Sequence, residues 1–475
     1  MLSGIISKIK FSIADKKRRK KSQLIKKGIL SSNKAYTGPN TLEIDITDYC
    51  ANSCLACWIH SPRLAHKKQN LYSLDFTEIQ KCIKDFKKSG IEKIQLSGGG
   101  EPLCHPEVLK ILTLFKNYGF YVNLNTSLYP VPDNFAEFAV KNKIDMLTIS
   151  LWAGNDEFWE IMHPKANKNH FATISKFLLE LKKIKEKNKC DFPRVRIYNV
   201  ITSLNYQNIE EMVNFGITHY ADEMEMQAVD TITNVTDDLN LQHHQVLHVL
   251  KTLDKLRSRK DYTNEFIGPN NELDILSFED YQEQKEYGRF FHLLAEGFSL
   301  NDDKVHISCP NNHQNFRKSW IHDHPYPAFS YEYPHEKCLK CACNFKCYPE
   351  KKSVPLTVSF MNLKGIGSFI RRINSSDNNI KENTLINKVP CLAGWIYARI
   401  KACGDIIPCC KASEMSLGNI KNDSFKKIWF GNKFNEFRQN AKLLPKTHKY
   451  FDKINCIKSC DNIGMNIDAN NIYLS

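Results

Sequence analysis

From about residue 40 to residue 235 the chain alternates regularly between strand-like and helix-like segments, and this restricts its fold more than any other feature. Thr41-Leu-Glu-Ile-Asp-Ile-Thr47 has the period of two that sends successive side chains to opposite faces of a strand. Further strands are predicted at 93–97, 121–125, 145–151, 194–201 and 223–229. Helices are predicted near 77–90, 106–118, 133–142, 170–188 and 207–215, the first opening on a Thr77 cap and stopping at Gly90. Six β-then-α units imply parallel strands joined by right-handed crossovers. Periodicity leaves open whether the sheet stays open or curls into a partial barrel. In both cases ligands bind at the C-terminal ends of the strands, so the loops after residues 47 and 97 are the first places to look for chemistry.

Beyond residue 235 the pattern changes. A helix is predicted over 237–259, and 260–335 is polar, aromatic and irregular, broken by Pro325, Pro327 and Pro334. A knot of cysteines at 338–347 and a Ser/Asn-rich linker at 374–387 follow, and a last compact unit begins near Pro390. The expected organisation is a basic arm at 1–35, an α/β core at 36–245, an irregular insertion at 246–388 and a C-terminal lobe at 389–475. With 475 residues, 42% of them hydrophobic, the chain can fill several cores.

No apolar run approaches the roughly 20 residues needed to span a bilayer. Met1 to Phe11 is too interrupted by Ser and Lys for a signal-peptide core. The expected compartment is the cytoplasm, where thiols stay reduced, so seventeen cysteines point to metal binding or chemistry rather than disulfides. Cys82, Cys104 and Cys190 are isolated and are expected to be small buried hydrophobes. The net charge of +14 is concentrated at one end. The first 27 residues hold ten Lys or Arg against one Asp, a net +9, so the remaining 448 carry only +5. That distribution argues against a nucleic-acid-binding surface on the folded body. Leu2, Ile5, Ile6, Ile9 and Ile13 share one helical face beside the run Lys16 to Lys21. Two readings fit this arm, peripheral contact with an anionic membrane or a solubilising terminal helix.

Cys50-Ala-Asn-Ser-Cys54-Leu-Ala-Cys57 follows the first strand. Three thiolates on one short loop can hold three irons of a 4Fe-4S cube and leave the fourth iron open, as catalysis requires. The competing reading is a zinc loop completed by His60. The second strand opens onto Gly98-Gly99-Gly100-Glu101-Pro102. Three glycines let backbone approach a ligand with no side chain between, and Glu101 adds a carboxylate suited to an ammonium group.

Together these motifs resemble the radical S-adenosylmethionine (SAM) superfamily, whose signature is CxxxCxxC after the first strand and GGE(P) after the second. The resemblance covers about 40–235. It implies a partial (β/α)6 barrel with Cys50, Cys54 and Cys57 as catalytic cluster ligands and Gly98, Gly99, Gly100 and Glu101 at the methionine end of SAM. Ser150 is implied to face SAM from the fourth strand. The implied chemistry is reductive cleavage of SAM to methionine and a 5′-deoxyadenosyl radical, which abstracts hydrogen from substrate. One departure is Ala56, where the family usually has an aromatic residue; Trp58 stands just after.

The segment Pro390-Cys391, Gly404 to Cys409-Cys410, Leu417-Gly-Asn-Ile420, Lys427-Ile-Trp429 and Cys456-Ile-Lys-Ser-Cys460 resembles the SPASM/twitch extension of such enzymes. The resemblance implies at least one auxiliary 4Fe-4S cluster on Cys391, Cys409, Cys456 and Cys460, with Cys410 an alternative to Cys409 and Cys403 a spare. Cys338, Cys341, Cys343 and Cys347 are four thiols within ten residues, suited to a further iron–sulfur cluster or to zinc.

The expected activity is that of a radical SAM oxidoreductase or maturase, modifying a peptide or protein side chain or a sugar-like hydroxyl, with a flavodoxin or ferredoxin as electron donor. The alternatives are a radical SAM methyltransferase or C–C bond-forming enzyme. From a different class comes a non-catalytic iron–sulfur or zinc protein whose basic arm binds nucleic acid.

Overall fold

Strand β1 (Thr41–Ile44) forms where Leu42 and Ile44 alternate with Thr41 and Glu43. It pairs in parallel with β2 (Lys93–Leu96), which pairs in parallel with β3 (Tyr121–Thr126). This computed structural model describes residues 16–17, 19–31, 33–64, 70–258, 298–301, 304–307, 362–364, 386–446, 448–454, 456, 460 and 462–474. The chain divides into two units, one of 1–51, 68–125 and 377–475, the other of 52–67 and 126–376.

In the first unit, helix α1 (19–30) buries Ile25 and Ile29, four residues apart, against Trp395, Tyr397 and Tyr473. Its neighbour Lys21 is buried and donates to the Pro39 carbonyl at 3.1 Å. The part of the basic arm that is described is therefore a docked helix; Leu2 to Ile13 lie outside the described residues. Helix α2 (Phe76–Lys88) buries Ile79, Ile83 and Phe86 on one stripe. Its cap is Asp75 rather than the expected Thr77, because Glu78 reaches back to accept the Asp75 N–H at 2.9 Å. Helix α3 (Val108–Asn117) carries the chain from β2 to β3. Of the isolated cysteines, Cys82 is buried as expected, whereas Cys104 is half-buried.

The second unit holds α4 (Phe135–Lys141), β4 (Met146–Ser150), α5 (Asp156–Met162), α6 (His170–Lys187), β5 (Arg194–Ile201), α7 (Ile209–Thr218), β6 (Glu223–Ala228) and α8 (His243–Ser258). Strands β4, β5 and β6 are parallel. All six expected strands are present, three in each unit, and the α/β class stands. Cys190 in this unit is half-buried rather than buried. Two local expectations change. The helix α5 was not foreseen; it is short and capped by Asn155, whose side chain accepts the Phe158 N–H at 3.1 Å. The helix expected over 237–259 starts only at His243, after a single 3-10 turn at Asp237–Leu239.

Most of the insertion at 246–388, with Cys309, Cys338, Cys341, Cys343 and Cys347, lies outside the described residues. Its described pieces are a hairpin of β7 (Phe298–Asn301) and β8 (Lys304–Ile307), and β9 (Asn362–Lys364), parallel to β6.

The C-terminal lobe returns to the first unit. Strand β10 (Tyr397–Ile400) lies parallel to β1 on the edge away from β2. A hairpin then adds β11 (Asp405–Ile407) and β12 (Gly418–Asn419), giving the order β12-β11-β10-β1-β2-β3. Arg438, on the helix Asn432–Ala441, is fully buried and donates to the carbonyls of Gly394 and Trp429, which locks the lobe's interior. Among the described residues no helix is long and apolar enough to cross a membrane.

Candidate functional site

The loop after β2 is a glycine turn zipped to the segment after β1. Gly98 and Gly99 sit at φ +70° and +53°, a region open to glycine at little cost. The Gly100 N–H donates to the Thr47 carbonyl at 2.8 Å, and the Glu101 N–H to the Tyr49 carbonyl at 2.9 Å. A Cβ on Gly100 would lie 2.0 Å from the Tyr49 oxygen, so this contact requires glycine. The turn is thereby tied to residues 47–49, immediately before Cys50. Glu101 is buried, and one of its carboxylate oxygens accepts the Leu103 N–H at 3.1 Å, capping the turn Pro102–Cys104.

Beneath the glycine turn lies an ion pair that sequence reading missed. Asp45, just past β1, takes a forked contact from Arg399 on β10: Nε is 3.1 and 3.0 Å from the two carboxylate oxygens and Nη2 is 2.9 Å from one of them. Glu43 lies opposite Arg399 in the strand register, 3.5 Å from Nη1. Glu43 also accepts from the Tyr397 hydroxyl at 2.8 Å and the Gln95 amide at 3.1 Å. Burial pushes the Asp45 carboxyl up to about 7, against the pull of Arg399. Burial opposes the charge on Arg399 as well, but Asp45 and Glu43 outweigh it and hold the guanidinium protonated. The available signal was the pair Glu43 and Asp45 in a strand that should be buried, since two interior carboxylates demand a cation. Nothing in the sequence said that the cation was Arg399.

In the second unit, the segment holding Cys54 and Cys57 is fixed from both ends. The Leu55 N–H donates to the Met162 carbonyl at 3.0 Å, and the Ser61 hydroxyl to the Leu55 carbonyl at 2.6 Å. The Cys57 sulfur accepts the N–H groups of Ile59 and His60 at 3.4 and 3.2 Å, which fixes where it points. Ala56 is buried in an apolar cluster with Trp152, Met162, Val229 and Leu239, against which Cys54 and Leu55 pack. The small residue at position 56 therefore fills a packing site. Ser150 ends β4, half-buried and opposite Tyr198 of β5.

Several C-terminal cysteines are neighbours in the first unit, although among the described residues no three Cys, His, Asp or Glu side chains are grouped closely enough to hold a metal ion. Burial first, and then the charges of Cys391, Cys410, Cys456 and Cys460, hold the Cys409 thiol well above its ordinary range, so each of the four lies within electrostatic reach of Cys409. Burial and the charge of Cys391 push Cys456 up to about 12. Thiols crowded this way are costly to ionise alone and suit a cationic iron–sulfur core that neutralises them. Cys403 stands apart, its sulfur 3.5 Å from the Asp405 carboxylate. Cys410 lies 3.5 Å from the Tyr397 hydroxyl.

Residues 44–216 match the radical SAM superfamily, and residues 391–461 match the SPASM iron–sulfur cluster-binding domain. No curated protein matches the chain. Among solved structures, SuiB of Streptococcus suis bound to S-adenosylmethionine is similar at 14% identity and a TM-score of 0.47, over 85% of this chain and 68% of that one. SuiB bound to its precursor peptide SuiA matches at 15% identity and a TM-score of 0.47, over 92% and 74%. A structure titled native anSMEcpe with bound AdoMet and Kp18Cys peptide matches at 13% identity and a TM-score of 0.47, over 92% and 96%.

Proposed function

We infer the function from a chain that belongs to the radical SAM superfamily and ends in a SPASM iron–sulfur domain. Such a chain is a radical SAM enzyme, with a SAM-cleaving 4Fe-4S cluster and SAM as cofactors. The finer reading proposed is that Cys50, Cys54 and Cys57 hold that cluster and that Gly98 to Glu101 receive the amino-acid end of SAM, with Ser150 facing it. The observation that carries this reading is the pair of hydrogen bonds from Gly100 and Glu101 to Thr47 and Tyr49, which ties the glycine turn to the approach to Cys50.

When bound, the reduced cluster supplies the electron that cleaves SAM and so generates the hydrogen-abstracting radical. The chain's residues do the rest. The glycine turn offers backbone with no side chains in the way, Glu101 places a carboxylate beside it, and the amide groups of Ile59 and His60 orient the Cys57 sulfur. Buried Trp152, Met162 and Leu239 keep the floor behind Cys54 dry.

For the auxiliary cluster the proposed ligands are Cys391, Cys409, Cys456 and Cys460. Cys409 is favoured over Cys410 because it feels the charge of all four other cysteines, whereas Cys410 adjoins the Tyr397 hydroxyl. A peptide or protein side chain is the proposed substrate class, ahead of a sugar-like hydroxyl, and a flavodoxin or ferredoxin the proposed electron donor.

The test is anaerobic reconstitution with iron and sulfide, addition of dithionite and SAM, and quantification of 5′-deoxyadenosine by mass spectrometry. Product from the wild type and none from Cys54→Ala is the expected result. A reconstituted, reducible protein that makes no 5′-deoxyadenosine with any peptide, or one that loads zinc instead, would sink the reading. Cys456→Ala should keep uncoupled SAM cleavage and lose substrate product.

A further inference from the structure

Arg399 belongs to the segment matched by the iron–sulfur domain, yet its guanidinium lies against the glycine turn of the core. A Cβ built on Gly98 would lie 1.8 Å from Arg399 Nη2 and 2.4 Å from Asp45 Oδ1. The forked ion pair thus occupies the space a side chain at position 98 would need, directly under a backbone turn at φ +70°. Both partners are nearly withdrawn from water, with 13% of the Arg399 side chain and 3% of the Asp45 side chain exposed. The pair is also anchored by backbone, since the Asp45 N–H donates to the Ile400 carbonyl at 2.8 Å. Gly99 is bounded by a second carboxylate, Asp48, whose Oδ1 would lie 2.7 Å from an added Cβ. Asp48 is itself held, Oδ2 accepting the Tyr72 N–H at 3.2 Å. The turn is therefore shaped by two carboxylates, Asp45, which the C-terminal strand braces through Arg399, and Asp48, which the Tyr72 N–H holds.

We propose that Arg399, supplied by the C-terminal lobe, is a positioning residue for the glycine turn and sets the affinity with which that turn holds SAM. This rests on the reading of Gly98 to Glu101 as the SAM site. A guanidinium can brace Asp45 through two parallel contacts and still reach Glu43; an ammonium cannot do both. Loss of the fork lets Asp45 move and the turn relax, so SAM binds more weakly while the chemistry, once SAM is bound, proceeds as before.

The test uses full-length reconstituted protein carrying Arg399→Lys and, separately, Asp45→Asn. Equilibrium binding of SAM is measured by anaerobic dialysis, alongside KM and kcat for 5′-deoxyadenosine formation, iron per chain and thermal midpoint. The expected result is SAM binding weakened about tenfold, with KM raised in step and kcat within about twofold of wild type, as loss of an interaction made equally in ground and transition states requires. Iron content should not change. A merely structural role predicts the reverse pattern, with iron and kcat falling together at constant KM. If Arg399→Lys does not fold, Asp45→Asn, which keeps the shape of the side chain, decides the matter. Wild-type SAM affinity in a folded variant overturns the proposal. A wild type that neither binds nor cleaves SAM would instead overturn the function reading on which it rests.

Discussion

The loops after β2 and β4 each press a glycine against something that leaves no room for a side chain, and they are held by opposite means. Under Gly98 lies a charged pair, Asp45 and Arg399, whose members are 354 residues apart in the chain. Under Gly154 lies backbone: an added Cβ would stand 2.3 Å from Glu211 C and Met212 N, at the start of α7. The loop around Gly154 is otherwise held by uncharged groups. Asn208 accepts the Gly154 N–H, and Asn205 donates to the Trp152 carbonyl at 2.9 Å. Trp152 itself sits at φ +62° with its ring in the apolar cluster behind Cys54. Side chains can swing aside and backbone cannot. At position 98 the first loop is therefore adjustable and responsive to charge, although Gly100 meets the Tyr49 backbone, and at position 154 the second is rigid.

The sharpest way to break this contrast is a pair of substitutions. Gly154→Ala should cost about 3 kcal/mol or more, because overpacking against helix backbone has no cheap relief. Gly98→Ala should cost less, about 1–2 kcal/mol for the left-handed conformation, but should weaken SAM binding. Urea denaturation and SAM dialysis of both variants check this. Equal stability losses, or full SAM affinity in Gly98→Ala, would remove the distinction.

The two regions should also titrate in opposite directions. Burial raises Asp45 to about 7, so its contribution is complete at low pH and is lost as pH rises from the ordinary carboxylate range through about 7. Behind the second loop, His163 is buried and stacked on Trp159 at 3.8 Å, and burial lowers it to about 3. Its contribution is present above the ordinary imidazole value and is lost as pH falls toward 3. Relative to wild type, Asp45→Asn should gain stability as pH rises from the ordinary carboxylate range to about 7, and no further above it. His163→Phe should gain as pH falls below about 6. Each difference has a slope of at most about 1.4 kcal/mol per pH unit. Denaturation curves across this range check the signs, and slopes of the same sign in both variants would contradict the assignment.

The smallest expected effect is that of Tyr397→Phe. It removes one hydrogen bond to Glu43, which keeps Gln95 and Arg399, so about 0.5–1.5 kcal/mol should be lost. SAM affinity should barely change, because Tyr397 does not reach the glycine turn. A large affinity loss would mean that the whole polar line from Cys410 to Asp45 acts as one body.

The six strands could be read from the sequence because short apolar stretches recur between helix-length segments, although only β2 and β5 bury a strictly alternating face and β4 is buried along most of its length. The cysteine and glycine loops could be read because thiols and glycines announce their own chemistry. Other features depended on contacts that no local pattern encodes. The short helix α5 has one cap and two turns, too little period to stand out. The Asp75 cap was hidden by a better-looking Thr77 two residues on. The place of β10 beside β1 was illegible for a deeper reason: Tyr-Ala-Arg-Ile suits many edges, and only pairing with Glu43 and Asp45 gives its arginine a purpose. The resemblance implied Cys391, Cys409, Cys456 and Cys460 as one set, whereas nothing local signalled the proximity of Cys410 to Tyr397.

The place of β10 has a consequence for how the protein is made. Strand β1 leaves the ribosome early, but its neighbour on one side is encoded 354 residues later. At roughly 5–20 residues per second this leaves the edge of β1 and the carboxylates of Glu43 and Asp45 waiting about 20–70 s for their partner. During that interval the glycine turn lacks its floor. Cofactor loading of the nascent chain would meet an unfinished site, and productive assembly belongs to the interval after Arg399 has been synthesised.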